Sequence, residues 1–332
     1  MQDTISPVTE KLLTYAHVKG IGARRLNKLA GFPEFASAKR LELGEAHPEF
    51  LQYLPTQEEW LAANQKAGEE ILLAEKFNAR ILSVLDPDYP PLLSASPDRP
   101  PILYIRGTVS ALSTKSLAVI GTRTPTAHGK LTAERIASHF SEDGWSIVSG
   151  LALGCDSIAH EAALKAGAPT VAVMAHGLQT VTPTQNKTLA DRILAAGGAL
   201  VSEFAFGQEP LPGLYAARDK TQAGLSQGVI LIQSDIEGGS LHASRAALRY
   251  NRWLAVAYPT ERDRTNQEPK ISANLLIADG SATEKSELLQ CQHPYQLDYI
   301  RVLRSRSDYT LIENHPISIS SSSNPQGTPS LW

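Results

Sequence analysis

The sequence predicts an α/β fold, with a doubly wound and mostly parallel sheet that follows a small helical domain. From Leu117 onward, short apolar runs alternate with amphipathic segments of helical period. The first two runs are followed by Gly121 and Gly150, as expected where a buried strand meets a loop. Residues 8–30 instead keep a helical period. Repeated alternation of strands and helices places helices on both faces of one sheet.

The start of the chain reads as two short helices joined by a Gly-Ile-Gly turn at residues 20–22. This spacing is typical of a helix-hairpin-helix, in which glycine amides can face a DNA phosphate. Three cations, Lys19, Arg24 and Arg25, flank the turn. The alternative is a small packing domain in which the glycines serve only the turn.

The later elements follow from periodicity and from breaks at proline and glycine. Residues 56–79 predict a helix, and 80–84 and 102–105 predict strands. A Pro-rich stretch at 86–91 interrupts regular structure, and 107–114 reads as a linker. Further strands are predicted at 117–120, 146–149, 170–174, 199–202, 228–232 and 253–257. The intervening helices are predicted at 127–142, 157–166, 188–195 and 240–250.

These patterns divide the chain into four regions. They are a helix-hairpin-helix domain at 1–55, a connecting helix and strands at 56–110, an α/β ligand-binding domain at 111–290, and a tail at 291–332. The last part of the tail, 314–332, is rich in Ser and Pro and is predicted to be disordered. No winged helix is evident in the tail.

The composition is that of an ordinary soluble globular chain. The net charge is −3 and no region is basic overall, which argues against tight non-specific nucleic-acid binding but permits a local basic pocket. No apolar run is long enough to span a membrane, and the N-terminus lacks the pattern of a secretion signal. The two cysteines are too few for a disulfide scaffold or a thiolate metal site. We expect a cytoplasmic protein without membrane contact, metal or cofactor.

The loops after the first two parallel strands carry the first candidate site residues. These residues are Gly121, Thr122, Arg123, Ser149, Gly150 and Gly154. In open parallel sheets, ligands bind at the edge where the strands end. Glycine lets backbone N–H groups approach an anion there. Arg123 would bind a phosphate in bidentate fashion, and the alternative is a surface salt bridge.

Two titratable residues follow in the second loop. Asp156 is predicted to cap the helix at 157–166. His160 lies one turn later on the same face, and its expected role is a contact with Asp156 that fixes the loop. No second ligand supports a metal or catalytic role for His160, and no catalytic triad or carboxylate pair is apparent. The sequence therefore predicts a binding protein rather than an enzyme.

A third loop and a later helix complete the candidate site. Gly238, Gly239 and Ser240 begin a helix and offer amides and a hydroxyl to an anion. Arg218 and Lys220 either reach the backbone of a bound strand or are exposed helix charges. Together these positions predict a site for a nucleotide or for a nucleic-acid backbone.

Three motifs occur in order along the chain. They are Gly-Thr-Arg-Thr-Pro from Gly121, Ser-Gly-Leu-Ala-Leu-Gly-Cys-Asp-Ser-Ile-Ala-His from Ser149, and Gly-Ser-Leu from Gly239. With this order and spacing, the chain resembles the DprA/Smf DNA-processing family over residues 8–285. The resemblance implies a Rossmann-like sheet, a SAM-like helical domain, single-stranded DNA binding and a homodimer formed near 254–276. It also implies loading of a RecA-type recombinase during natural transformation.

The chain departs from the family pattern at positions that would carry charge. Leu153 stands where a basic residue is common, and Asp219 with Lys220 replaces an Asn-Arg pair. Both changes reduce the local positive charge. The chain also lacks the glutamate that related phosphoribohydrolases carry after their glycines, which argues against hydrolase chemistry. The alternative function is a sensor that binds a small nucleotide in the same pocket, for example in anti-phage defence.

Overall fold

One sheet organises the computed structural model, which describes residues 4–112 and 115–313. In chain order, the strands found in these residues are β1 (Ala79–Ser83), β2 (Ile102–Gly107), β3 (Ser116–Ile120), β4 (Ser146–Ser149), β5 (Thr170–Val173), β6 (Ala199–Ser202), β7 (Gly228–Leu231), β8 (Trp253–Ala257) and β9 (Ile300–Leu303). Their spatial order is β1-β2-β6-β5-β4-β3-β7-β8-β9. β2 pairs antiparallel with β1 and β6, and all other neighbours are parallel.

Helices cover both faces of this sheet. They are α1 (Pro7–Ala16), α2 (Ala23–Ala30), α3 (Arg40–Ala46), α4 (Gln57–Lys76), α5 (Pro91–Ser94), α6 (Ala127–Glu142), α7 (Cys155–Lys165), α8 (Lys187–Ala195), α9 (Leu214–Gly224), α10 (Leu241–Arg249), α11 (Glu261–Thr265), α12 (Ser272–Asp279), α13 (Ala282–Leu289) and α14 (Thr310–Glu313). Short 3-10 helices lie at Pro48–Tyr53, Val109–Leu112, Thr184–Asn186, Pro269–Ile271, Pro294–Tyr299 and Arg306–Tyr309. The predicted doubly wound, mostly parallel α/β architecture is confirmed.

Polar caps decide where two of the longest helices begin. At the start of α4, the Thr56 hydroxyl accepts a hydrogen bond from the Glu59 amide at 3.2 Å, and the Glu59 carboxylate accepts one from the Thr56 amide at 2.8 Å. At the start of α6, the Thr126 hydroxyl accepts from the Gly129 amide at 3.1 Å. Such caps satisfy amides that have no partner inside the helix. Both helices begin within one residue of their predicted starts at 56 and 127, whereas α4 ends at Lys76, three residues before its predicted end.

The side chains of the central strands alternate between two buried layers. In β3, Leu117 and Val119 pack in the layer of α6 and α7, whereas Ala118 and Ile120 pack in the layer of α9 and α10. None of these four side chains is more than 4% exposed. A strand covered on both faces buries side chains on both sides, which is why the middle of each central strand reads as an apolar run. The buried Ser and Thr residues of these strands lie at strand ends, as at Ser116 and Ser149.

The N-terminal helices share the core of the sheet. Side chains of α1 to α4 form one apolar cluster with residues of β1, β2, β5 and β6. In this layer, the buried carboxylate of Glu70 accepts a hydrogen bond from the Tyr104 hydroxyl and lies 2.9 Å from His17 Nε2. The region predicted at 1–55 therefore packs directly against the sheet. The region predicted at 56–110 supplies β1 and β2 to the same sheet.

The predicted helix-hairpin-helix corresponds to α1, α2 and the turn between them. Gly20 in this turn has a φ of 86°, which favours glycine. The Arg25 guanidinium donates to the Gly20 carbonyl and to the Tyr53 hydroxyl, and lies 4.1 Å from the centre of the Tyr53 ring. Arg24 is exposed and makes no hydrogen bond or ion pair in the described ranges. The two neighbouring arginines therefore differ in their availability to a ligand.

Two expectations for the C-terminal part differ from the structure. The tail was expected to begin at residue 291, but β9 lies within it and pairs in parallel with β8. Arg301 interrupts the apolar residues at 300–303, so this segment lacks the unbroken apolar run that identified the central strands. Leu254, placed by the sequence near a dimer surface, is fully buried in β8. The segment 314–332, predicted to be disordered, lies outside the described residues.

Candidate functional site

A cavity of about 370 Å³ lies at the carboxyl edge of the sheet. The loops after β3, β4 and β7 line it together with α9 and the start of α10. β3 is the strand at which the strand order reverses, because the chain moves first to β4 on one side and later to β7 on the other. Open parallel sheets bind ligands at such a switch point, so this cavity is the candidate site.

The structure brings most of the predicted site residues to this cavity. Those that line it are Gly121, Thr122, Arg123, Arg218, Gly238, Gly239 and Ser240. The lining also includes residues that sequence analysis did not identify as ligands, among them Tyr215, Gln222, Ser234 and Asp235. The predicted site residues that do not line it are Ser149, Gly150, Gly154 and Lys220.

Three of these four residues shape the loop between β4 and α7. Ser149 is fully buried, and its hydroxyl donates to a carbonyl oxygen of β3 at 2.6 Å. Gly154 has a φ of 83°, and a Cβ there would lie 2.5 Å from the carbonyl oxygen of Arg123. A side chain at Gly150 would collide with the Arg218 guanidinium. The glycines therefore permit close packing of the loop against its neighbours.

Asp156 is not the helix cap that the sequence predicts. α7 begins at Cys155 with Gly154 as its N-cap, so Asp156 lies inside the first turn. Its Oδ2 accepts hydrogen bonds from the Gly150 amide at 3.1 Å and from the Ala152 amide at 3.3 Å. The Gly150 amide, predicted to face a ligand, is therefore satisfied by a carboxylate of the protein.

The predicted contact between His160 and Asp156 is not among the hydrogen bonds or ion pairs of residues 4–112 and 115–313. His160 is fully buried, its Nδ1 lies 2.7 Å from the Thr170 hydroxyl, and its Nε2 has no hydrogen-bond partner. Burial, assisted by the positive charge of Arg218, lowers the pKa of His160 to about 3. The imidazole is therefore neutral at physiological pH, and it does not line the cavity.

Arg218 is an internal cation and not an exposed helix charge. It is 5% exposed, its Nε lies 3.1 Å from Asp219 Oδ1, and its Nη1 lies 3.8 Å from Asp156 Oδ2. When the amide oxygen of Gln222 faces the guanidinium, it accepts hydrogen bonds from Nη1 at 2.5 Å and Nε at 3.2 Å. Two carboxylates thus compensate one guanidinium, which leaves Arg218 little charge to offer a phosphate.

Burial also changes the titration of the two carboxylates. It raises the pKa of Asp156 to about 6, against the opposing effect of Arg218. It raises the pKa of Asp219 as well, and Arg218 and Arg123 act in the opposite direction. As the pH falls through about 6, the cavity therefore loses negative charge.

Arg123 keeps its charge available to a ligand. It is exposed and, within the described part of the chain, forms no ion pair or hydrogen bond. Its guanidinium carbon lies 5.7 Å from the centre of the Tyr215 ring. Lys220, in contrast, is directed to Asp98, 3.8 Å away, outside the cavity. An exposed guanidinium beside an aromatic ring can bind a phosphate next to a stacked base.

The glycine loop after β7 is held by a residue that sequence analysis missed. The fully buried Asn274 accepts a hydrogen bond from the Ser234 amide at 2.9 Å and donates to the carbonyl oxygens of Ile232 and Ala257, both at 2.9 Å. The Ser240 hydroxyl in turn donates to the Ser234 hydroxyl at 2.8 Å. A single asparagine in the apolar α12 segment is the signal that points to such a buried polar link.

Gln233 joins the first and third loops. Its carbonyl oxygen accepts a hydrogen bond from the Thr122 amide at 2.8 Å. Its side chain accepts from the Thr126 amide at 3.0 Å and donates to the Thr126 hydroxyl at 2.9 Å. The Thr122 amide is therefore unavailable to a ligand. A polar residue directly after the apolar run at 228–232 is the sequence signal that could have identified Gln233.

Across 4–112 and 115–313, no group of three His, Cys, Asp or Glu side chains is placed to hold a metal ion. None of the helices in the same ranges combines the length and apolar character needed to cross a bilayer.

A model of the family described as DNA recombination-mediator protein A matches residues 80–292, more than half of the chain. The chain belongs to this family. The matched part of the chain contains β2 to β8 and every residue that lines the cavity. The resemblance of the motifs to the DprA/Smf proteins is thereby confirmed.

Other members of the recombination-mediator family share sequence and fold with the chain. Protein Smf from Synechocystis sp. is 33% identical over 251 residues, which are 72% of this chain and 62% of that protein. The X-ray structure of DNA processing protein A from Streptococcus pneumoniae has a TM-score of 0.61 and 27% identity, and the match covers 88% of this chain and 98% of that chain.

A second structure is that of DNA processing protein A from Helicobacter pylori, described for its single-stranded DNA binding mode. It has a TM-score of 0.56 and 27% identity, and the match covers 72% of this chain and 98% of that chain. The chain spans less than two thirds of the length of the curated relatives it matches.

Proposed function

We propose that this chain binds single-stranded DNA in the cavity and acts in DNA processing as a recombination mediator, without catalysing a reaction. Its family and the single-stranded DNA binding described for the Helicobacter pylori protein support the proposal. The observation that carries it is the exposed Arg123 beside Tyr215 at the switch point of the sheet. Phosphate contact and base stacking are the two interactions that sites for single strands combine.

The size of the cavity favours a single strand over a duplex. About 370 Å³ is near the lower end of the range for small-molecule pockets, so roughly one nucleotide unit enters it. An unpaired base can leave its neighbours and enter such a pocket, whereas a base in a duplex must first be unstacked and unpaired. The free-energy cost of that step lowers the affinity for duplex.

Fluorescence anisotropy with a labelled single strand and with a blunt duplex of the same sequence tests the proposal. We expect tighter binding of the single strand. One free cation releases about one counterion, so the logarithm of the binding constant should fall with the logarithm of salt concentration with a shallow slope, about −0.7 per phosphate contact. Equal affinity for the duplex at matched salt would overturn the proposal.

The affinity for single-stranded DNA is expected to rise as the pH falls from 7 to 5. The pKa of Asp156, about 6, means that its negative charge is present above this range and lost below it, and its loss removes repulsion of phosphate. A unit charge about 10 Å from a phosphate is worth about 1.7 kcal/mol at an effective dielectric constant of about 20, so complete loss of the charge raises the affinity by at most about 16-fold. Anisotropy titrations across this pH range measure it.

The control for this pH dependence is Asp156→Asn. This variant keeps the size of the side chain and removes its titration, so its affinity should vary less with pH than that of the wild type. Its melting temperature is measured in parallel, to show that the loop still folds. An equal pH dependence in both proteins would assign the effect to another group.

Leu153→Lys is expected to strengthen single-stranded DNA binding. Leu153 is 42% exposed in the loop between β4 and α7, next to Ala152 in the cavity lining. A cation there adds one phosphate contact and should steepen the salt slope by about 0.7. Leu153→Gln controls for the loss of the apolar side chain. If the Lys and Gln variants bind alike, the loop does not face DNA.

A small nucleotide in the same cavity is the second candidate ligand. Its support is the charge balance of the lining, in which Asp156, Asp219 and Asp235 accompany only Arg123 and Arg218. Carboxylates and hydroxyls suit ribose hydroxyl groups better than a series of phosphates. Competition by nucleoside monophosphates and diphosphates against labelled DNA separates the two. Nucleotide binding without DNA binding would establish the second function.

The dimer and the recombinase partner are proposed from the family. Of the apolar residues in the predicted surface, Leu275 and Leu276 on α12 are only partly buried and can contribute to an interface. Light scattering at micromolar concentration tests the homodimer, and a monomer would contradict it. Co-purification with a RecA-type recombinase in the presence of single-stranded DNA tests the mediator role.

A further inference from the structure

A second opening of about 780 Å³ lies between the helix-hairpin-helix and the sheet. We call it the hairpin cleft, and its polar lining includes Arg24, Asn27, Asp98, Arg99, Glu203 and Lys220. These residues come from α2, from the segment between α5 and β2, from the loop after β6, and from α9. The cleft is therefore formed jointly by the N-terminal helices and the sheet.

The helix α9 connects the hairpin cleft to the cavity. Residues 215, 218, 219 and 222 of α9 line the cavity, at the spacing of one helix face. Ala217 and Lys220 line the hairpin cleft from another face of the same helix. A helix with its side chains is about 10–12 Å across, so a strand that leaves the cavity reaches the cleft after crossing one helix.

The carboxylates of the hairpin cleft are largely compensated. Asp98 Oδ2 lies 3.8 Å from Lys220 Nζ, accepts a hydrogen bond from the Tyr250 hydroxyl at 3.0 Å, and pairs with the Arg249 guanidinium. One carboxylate is thus shared by two cations. Burial raises the pKa of Glu203, which disfavours its charged form. The cleft consequently retains a surplus of positive charge.

Two arginines supply that surplus. Arg24 is exposed and, in the part of the chain that the structure describes, is paired with no carboxylate. Arg99 is oriented by Asn27, whose Oδ1 lies 3.4 Å from its Nε, and by the Ser94 carbonyl, which accepts from Nη1 at 2.9 Å. Both guanidinium groups are therefore suited to phosphate, which an arginine fork recognises well.

We propose that the hairpin cleft binds the sugar-phosphate backbone of the DNA strand that flanks the nucleotide held in the cavity. The proposal rests on the proposed function. It gives the two neighbouring arginines of the hairpin different roles, since Arg24 contacts phosphate while Arg25 is folded over its own turn. It also places Lys220, which does not line the cavity, on the path of the same strand.

Oligonucleotide length is the variable that tests the hairpin cleft. We compare a labelled strand of about two nucleotides, too short to leave the cavity and cross α9, with one of about 16 nucleotides, the upper end of the lengths that single-strand-binding folds contact. Arg24→Ala is expected to leave the affinity for the short strand unchanged. For the long strand it is expected to lower affinity and to reduce the steepness of the salt slope by about 0.7, the value for one lost phosphate contact.

Lys28→Ala is the matched control, because it removes the same charge from the same helix. Lys28 pairs with Glu49 at 3.0 Å and does not line the hairpin cleft. An equal effect of Arg24→Ala on both lengths, no effect on the long strand, or the same effect from Lys28→Ala overturns the proposal. If Arg123→Ala still weakens the short strand in that case, the proposed function stands. If neither strand binds the wild-type protein, both proposals fail.

Discussion

Replacing Arg218 with methionine is expected to lower the free energy of unfolding by about 3–5 kcal/mol, the usual cost of removing one partner of a buried ion pair. The side chain is 5% exposed and compensates Asp219 at 3.1 Å and Asp156 at 3.8 Å. Methionine fills a similar volume but leaves both carboxylates without their cation. The melting temperature should fall by on the order of 10 °C, measured by differential scanning fluorimetry alongside urea unfolding.

Lys220→Met is the matched control for this loss of stability. It removes a cation from the same helix, two residues away, where the side chain is 43% exposed and lies 3.8 Å from Asp98. An exposed pair of this kind contributes less than about 1 kcal/mol. Adding Asp219→Asn to Arg218→Met should recover part of the stability, because one unpaired carboxylate is then neutral. Equal melting temperatures for Arg218→Met and the wild type would contradict the internal role of Arg218.

Replacing Arg123 with alanine is expected to weaken single-stranded DNA binding at least about tenfold, with an unchanged melting temperature. A hydrogen bond to a charged group contributes about 1.5–3 kcal/mol, and about 1.4 kcal/mol corresponds to a factor of ten in affinity. Arg123 is exposed and forms no ion pair in the described ranges, so the fold does not depend on its charge. Anisotropy titrations and thermal melts on the same samples measure both quantities.

Two variants refine the test of Arg123. Lys130→Ala removes one positive charge from an exposed position of α6 outside the cavity lining, and should change affinity little. Arg123→Lys keeps the charge but loses the planar fork, so it should restore only part of the affinity. If Arg123→Ala binds as tightly as the wild type, or if Lys130→Ala is equally weakened, Arg123 does not contact the ligand.

Arg123 and Arg218 differ in how far their roles can be predicted from the sequence. Both were candidates for phosphate contact on the basis of position and charge. Arg123 follows a strand end directly, and the structure leaves it exposed at the cavity. Arg218 lies on a helix whose rotation depends on its packing, and the structure turns it toward Asp156 and Asp219. Local pattern does not specify that rotation.

The same limit applies to the backbone amides of the site. Glycines at strand ends indicate that the backbone closely approaches a neighbouring group. The sequence analysis predicted that this group is an anionic ligand. The structure shows that the Gly150 amide bonds to Asp156 and the Thr122 amide to the Gln233 carbonyl. These partners come from other parts of the chain, so their identity depends on tertiary contacts.

The sequence by itself determined the doubly wound sheet, the order of its central strands along the chain, and the edge at which the candidate site lies. It could do so because unbroken apolar runs, helical periods and strand-end glycines are local features that the fold must satisfy. Only the tertiary structure decided which charges are free. Arg123 remains exposed, Arg218 is compensated by buried carboxylates, and Arg24 lines a cleft with Lys220 from a distant segment. Burial and ion pairing determine both the charge of a group and its access to a ligand. Both depend on contacts between residues that are far apart in the chain.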